Sequence, residues 1–168
     1  EDLERFAKLG VVASMQPIHS VLNVDGYPAL LGEKWVPYMW PVRSLLDSKA
    51  VVAFGTDAPV WNLNPMEGIY AAITRKQPWD GAPEDGFVLS QRTSLAQALQ
   101  AYTYGSAFVE NFENRIGTLA EGKLAVIVVM DRNLFAATPD EILEAKPAYT
   151  FIDGDVVFEA PGLDLCVE

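Results

Sequence analysis

Val51-Val52-Ala53-Phe54-Gly55-Thr56-Asp57-Ala58-Pro59-Val60 is the stretch on which the reading of this chain turns. Its first four residues are apolar without interruption, as in a strand buried on both faces of a parallel sheet. Gly55, Thr56 and Asp57 then break the pattern. A carboxylate at the C-terminal tip of a buried strand stands where α/β barrels gather their catalytic groups. An aspartate two residues before Pro59 is equally at home as the cap of a tight turn. The rest of the chain has to decide between the two.

Upstream, Leu3, Phe6 and Leu9 recur at helical spacing over residues 2–9, and Gly10 follows as a stop. Residues 11–15 read as a short buried strand that runs into Gln16-Pro17-Ile18-His19. Residues 20–40 read as a long irregular stretch carrying Tyr27, Trp35, Tyr38 and Trp40, punctuated by prolines. Loops of that length tend to be lids or binding loops. A short helix over 42–49, with Leu45 and Leu46 inward, leads into the strand at 51–56. Strand and helix alternate, with long excursions after the strands, which is the pattern of a parallel sheet.

Downstream, Pro65 opens a helix to about Arg75, with Ile69, Tyr70 and Ile73 on one face. Ser94 and Gln97 have the spacing of a capping box for a helix over 95–109. The texture then changes. Residues 124–130 form a β-branched run, and Thr138-Pro139-Asp140-Glu141 is a capped helix start. Residues 149–158 read as two strands around an Asp153-Gly154 turn. The last fifty or so residues are therefore expected to form a small β unit.

The formal charge is −11, from 23 acidic against 12 basic residues, with no basic cluster. That argues against a nucleic acid or an anionic membrane surface as partner. No stretch is long and apolar enough to span a bilayer. Cys166 is the single cysteine, so neither an internal disulfide nor a thiolate metal site is expected. The chain opens in charged, helix-like Glu1-Asp2-Leu3-Glu4-Arg5, and is expected to be a piece of a longer protein.

Six segments, in order, resemble the C-terminal part of metal-dependent amidohydrolases, in the branch of the YtcJ-like proteins and N-substituted formamide deformylases. They are Met15-Gln16-Pro17-Ile18-His19, Arg43-Ser44-Leu45-Leu46-Asp47, Ala53 through Val60, and Asn64-Pro65 with Ile69-Tyr70-Ala71-Ala72. Ala98-Leu99-Gln100-Ala101-Tyr102-Thr103 follows, then Gly117-Thr118-Leu119 with Gly122-Lys123-Leu124-Ala125. No single segment is specific; the ordered set is. The resemblance implies an α/β fold, residues 1–112 being the C-terminal sector of a (β/α)8 TIM barrel with strands seven and eight at 11–15 and 51–56. Residues 113–168 would then belong to a small β-sandwich domain.

The resemblance also implies a function: hydrolysis of carbon–nitrogen bonds in small amides or formamides by the parent, with a divalent metal such as zinc. Asp57 would be both metal ligand and catalytic proton carrier, accepting a proton from the attacking water. The remaining ligands are expected upstream, so the chain by itself is expected to hold no metal and to be inactive. The alternative is a binding or regulatory protein on a catalytically retired barrel.

His19 is expected to contact substrate, in preference to an ordinary loop hydrogen bond or metal ligation. Trp40 and Trp61, with Trp35 and Tyr38, either line the pocket or pack the loops; the first two are taken as substrate contacts. Arg43 is expected in a structural ion pair rather than on an anionic substrate group, and Lys123 with Glu121 in a solvated turn. Many relatives carry aspartate where this chain has Val126, and a buried valine there would extend the strand's apolar run. Strands cut from their neighbours leave open edges and apolar faces, so self-association is expected, a dimer above all.

Overall fold

A computed structural model describes residues 2–162; Cys166 lies outside the described residues. The chain is mixed α/β. Helix α1 (Leu3–Leu9) ends at Gly10, whose φ of 66° is the left-handed C-cap that glycine adopts without strain. Strands β1 (Ala13–Met15) and β2 (Val52–Phe54) pair in parallel, with Met15 opposite Phe54. All three residues of β2 are buried, whereas Ser14 of β1 is exposed. Each strand is shorter than its sequence pattern suggests.

Residues 20–40 differ from the irregular stretch expected. The chain forms a 3-10 turn at Pro17–Val21, helix α2 (Gly26–Leu31) and a second 3-10 segment at Glu33–Tyr38. Glycine and two prolines hide these short helices from propensity, and tertiary packing sets them. Tyr27 lies 5.0 Å from Trp40 and 5.8 Å from Phe87, ring to ring. Helix α3 (Val42–Asp47) buries Val42 and Leu45 and leads into β2.

Helix α4 (Pro65–Thr74) starts with Asn64 as its cap, accepting from the Met66 amide at 3.1 Å. The capping box at Ser94 and Gln97 is present and opens α5 (Leu95–Gln100). The helix expected to run evenly to 109 instead passes through a π turn at Ala101–Gly105 before α6 (Ser106–Val109). The cause lies outside the helix. Gly105 is so close to β2 that a Cβ there would sit 2.1 Å from the Val52 carbonyl oxygen, and Ser106 Oγ donates to the Phe54 carbonyl at 3.0 Å.

Strands β3 (Ile127–Met130), β4 (Pro147–Ile152) and β5 (Asp155–Glu159) form an antiparallel sheet, with the hairpin turn at Asp153-Gly154. Thr138 and Glu141 make the anticipated capping box on α7 (Pro139–Leu143). Val126 is 45% exposed and precedes β3, so it does not extend a buried run. Glu121 and Lys123 lie in a turn, as expected, with Glu121 exposed and Lys123 half-buried, and no ion pair joins them among the described residues. Lys123 Nζ instead donates to the Glu113 and Ile116 carbonyls and to Thr118 Oγ1, the last at 2.6 Å. A flexible ammonium with three donors gathers backbone acceptors that a turn leaves unpaired.

Two apolar clusters organise the molecule. One joins Val52 and Phe54 to Val42, Leu45, Ile69 and Ala98, and continues to Leu134 and Ile142 beside α7. The other begins in the 3-10 turn after β1 and contains Ile18, Val21, Met39, Ala71 and Phe87, with Tyr27, Trp40 and Trp61 against it.

Candidate functional site

The parallel register places the residues that follow Met15 and Phe54 side by side, and Gly55 N donates to the Met15 carbonyl at 3.2 Å to extend the pairing by one step. Beyond β1, Pro17 begins the 3-10 turn with its fixed φ. Ile18, Ser20 and Val21 are buried almost completely, and Ser20 Oγ donates to the Pro17 carbonyl at 2.7 Å. His19, between them, is held at its backbone by Tyr27 Oη, which donates to the His19 carbonyl at 2.7 Å. Burial raises the Tyr27 hydroxyl above the ordinary tyrosine range, so it remains a donor.

Beyond β2, Asp57 takes φ 61°. The left-handed region costs most non-glycine residues about 1–2 kcal/mol, and aspartate is among the few that visit it. Val60 N and Trp61 N both donate to the Asp57 carbonyl, at 2.7 and 3.3 Å, closing a turn on this residue. Asp57 Oδ2 then lies 3.9 Å from His19 Nε2, with side-chain exposures of 49% and 21%. That separation is too long for a hydrogen bond, and among the described residues His19 Nε2 has no hydrogen-bond partner. A half-exposed carboxylate and a sheltered imidazole nitrogen thus face one another at the ends of adjacent parallel strands, each with capacity to spare.

Trp61 stands at the far end of the Asp57 turn. Its Nε1 donates to Glu67 Oε2 at 2.6 Å, and Asn62 Nδ2 donates to the same oxygen at 2.9 Å. The Trp61 ring leans on Trp79 at 5.9 Å. Trp40 takes φ 45° and packs on Tyr27, so it stands behind the residue that anchors the His19 carbonyl. Trp35 and Tyr38 are exposed, in edge contact at 6.2 Å. Arg43 Nε donates to Asp47 Oδ1 at 2.9 Å in an exposed ion pair, as anticipated.

Three residues here were not singled out from sequence. Asn64-Pro65-Met66-Glu67 has the spacing of a helix start with an acid at its third position, a signal that could have flagged Glu67. Arg75 caps α4 in the left-handed region and is buried; its Nε donates to the Phe87 carbonyl at 2.8 Å, while Nη2 lacks a partner. Burial pulls its pKa down. Tyr102, on the π turn, meets Phe54 edge-on at 5.4 Å and buries a hydroxyl that has no partner.

A cavity of about 480 Å3 lies between α4 and α7, lined by Tyr70, Lys76, Trp79 and Asp140 among others, and includes neither Asp57 nor His19. Among the described residues no three His, Cys, Asp or Glu side chains gather where they could hold a metal ion. The Asp57 carboxylate at the strand end is chemically suited to a zinc-type ion but would supply only part of its shell.

A model of the amidohydrolase family matches residues 1–158. The chain belongs to the amidohydrolase family. Over 156 residues it is 33% identical to the protein LONG AFTER FAR-RED 3 of Arabidopsis thaliana, which covers 92% of this chain and 26% of that one. Over 124 residues it is 28% identical to the N-substituted formamide deformylase of Arthrobacter pascens, covering 74% of this chain and 22% of the other. The crystal structure of a metal-dependent hydrolase from Pyrococcus horikoshii OT3 superposes with a TM-score of 0.63 at 29% identity, covering 73% of this chain and 24% of that one. The amidohydrolase chain described here thus spans about a quarter of the length of these relatives.

Proposed function

We propose that this chain is the C-terminal part of a metal-dependent hydrolase that cleaves carbon–nitrogen bonds of small amides or formamides. In this reading β1 and β2 are strands seven and eight of a (β/α)8 barrel within residues 1–112, and residues 113–168 belong to a small β-sandwich. The observation that carries it is the convergence of Asp57 and His19 beyond paired parallel strands, 3.9 Å apart and without hydrogen-bond partners for the imidazole nitrogen. In parallel α/β folds, that end of the sheet is where chemistry is placed. Family membership and the likeness to a formamide deformylase and a metal-dependent hydrolase support the reaction class.

Asp57 would hold the divalent metal, zinc in our reading, together with residues supplied by other parts of a longer protein. When bound, such an ion lowers the pKa of water towards neutrality and polarises a carbonyl. Asp57 accepts the proton from the water that attacks the carbonyl carbon. It then delivers that proton to the nitrogen as the C–N bond breaks, so the carboxylate ends as it began. His19 contacts the substrate beside it. Trp61, and Trp40 with its ring against Tyr27, shield the same side from water.

A second reading keeps the fold without the chemistry: a binding or regulatory protein on a retired barrel. The finding in its favour is that the relative at 33% identity carries a name that describes no reaction. The two are separated by assaying amine release from a panel of amides and formamides, with divalent metal supplied, in the longer protein that contains this chain. Metal-dependent amine release supports the hydrolase; its absence across the panel, with metal bound, supports the retired barrel.

A further inference from the structure

We propose that Glu67 is a positioning residue for Asp57, acting through Trp61 and Asn62. This rests on the reading of Asp57 above. The residue in question is Asp57, whose φ of 61° is left-handed, a conformation that aspartate tolerates better than most residues but that its flanks must still favour over the ordinary negative φ. The upstream flank is secured by β2 and by Gly55 N donating to Met15. The downstream flank is a turn of residues 57–61 with no strand or helix of its own. Its backbone hydrogen bonds, from Val60 N and Trp61 N, return to the Asp57 carbonyl, so beyond the packing of the Trp61 ring the turn is closed on itself.

Glu67 supplies the anchor. One oxygen, Oε2, accepts from both Trp61 Nε1 and Asn62 Nδ2, while Asn62 Oδ1 accepts from Asn64 N at 2.8 Å and Asn64 Oδ1 from Met66 N. The chain from 61 to 67 is thereby tied to the first turn of α4, where a carboxylate is favoured by the helix dipole. Helix α4 is itself fixed, with Met66, Gly68, Ile69, Tyr70, Ala71 and Ala72 buried. Rigid helix, Glu67, Trp61 and Asp57 form one mechanical series. Without this hydrogen-bonded tie, only the packing of the Trp61 ring restrains the turn, and a relaxation to negative φ at Asp57 swings the carboxylate away from His19.

The requirement is for an acceptor at Oε2 and not for the charge, which separates this role from an electrostatic one. In the 168-residue chain, the Trp61 indole N–H resonance should stay downfield in Glu67→Gln and move to an unbonded position in Glu67→Leu. The one-bond Cα–Hα coupling of Asp57 should report positive φ in the first variant and lose it in the second. In the longer protein, Glu67→Leu should lower kcat by about tenfold or more with KM nearly unchanged, since small misplacement of a catalytic group is costly; Glu67→Gln should restore kcat. Should Glu67→Leu fail to fold, Trp61→Phe, which keeps an aromatic ring, though a smaller one, and deletes the donor, is expected to lower kcat and to lose the positive φ at Asp57 where Glu67→Gln does neither. Equal losses in Glu67→Gln and Glu67→Leu, or no loss in Glu67→Leu or Trp61→Phe, would overturn the proposal. An active Asp57→Asn variant would instead overturn the reading of Asp57 on which it stands.

Discussion

Gly68 and Tyr102 meet where α4 crosses the π turn, and their contact makes a two-residue test of the packing. A Cβ added at Gly68 would lie 2.0 Å from Tyr102 Oη and 3.2 Å from its Cζ. The ring cannot easily withdraw, because it stands edge-on to Phe54 of β2. Gly68→Ala should therefore cost about 1–3 kcal/mol through overpacking, minus the roughly 1 kcal/mol that alanine gains over glycine in a helix. Tyr102→Phe removes a buried hydroxyl without a partner and should stabilise by about 1 kcal/mol, the lower end of an unsatisfied group's cost. In the phenylalanine background the 2.0 Å clash is gone and the 3.2 Å contact needs only a small shift, so Gly68→Ala should become nearly neutral. The coupling between the two sites is expected at about 1–3 kcal/mol. Urea unfolding of the four proteins, with midpoints and slopes compared, measures it. Equal costs for Gly68→Ala in both backgrounds would refute the contact and the placement of α4 against the π turn.

Burial pushes the Tyr102 hydroxyl up to about 12. A group that keeps its proton longer in the fold than in the unfolded chain contributes stability that fades as pH rises from about 10 to about 12. The advantage of Tyr102→Phe over the parent should therefore widen across that window in pH-dependent urea melts; a constant difference would contradict it. Lys123→Met strands the carbonyls of Glu113 and Ile116 and should cost about 1–2 kcal/mol; a loss below about 0.3 kcal/mol in the same assay would show that water serves as well. Sedimentation of the 168-residue chain at micromolar concentration is expected to exceed the monomer mass, since β1 carries an unpaired edge and Val128, Val156 and Phe158 are exposed; a well-behaved monomer would contradict this.

What was legible in the sequence had a local cause. The uninterrupted apolar run before Gly55 marked β2, and the capping boxes at Ser94 and Thr138 are written in side chains three residues apart. The Asp153-Gly154 turn is equally local. Asp57 and His19 could be placed at strand ends because the strands could be read, although their approach to 3.9 Å required the parallel register. The elements that escaped have distant causes. Helix α2 exists because Tyr27 packs between Trp40 and Phe87. The π turn exists because Gly105 and Ser106 must fit against β2. Lys123 sought backbone acceptors that no neighbouring residue type announces.

The role of Asp57 is tested most directly by turnover of Asp57→Asn in the longer protein that carries this chain, with bound metal quantified alongside. Asparagine keeps the size and one oxygen of aspartate but cannot take the proton from water. Amine release should fall by about a hundredfold or more, in keeping with the loss of a general base, with metal uptake partly retained. Amine release at the parental rate, with the substitution verified and metal bound, would contradict it.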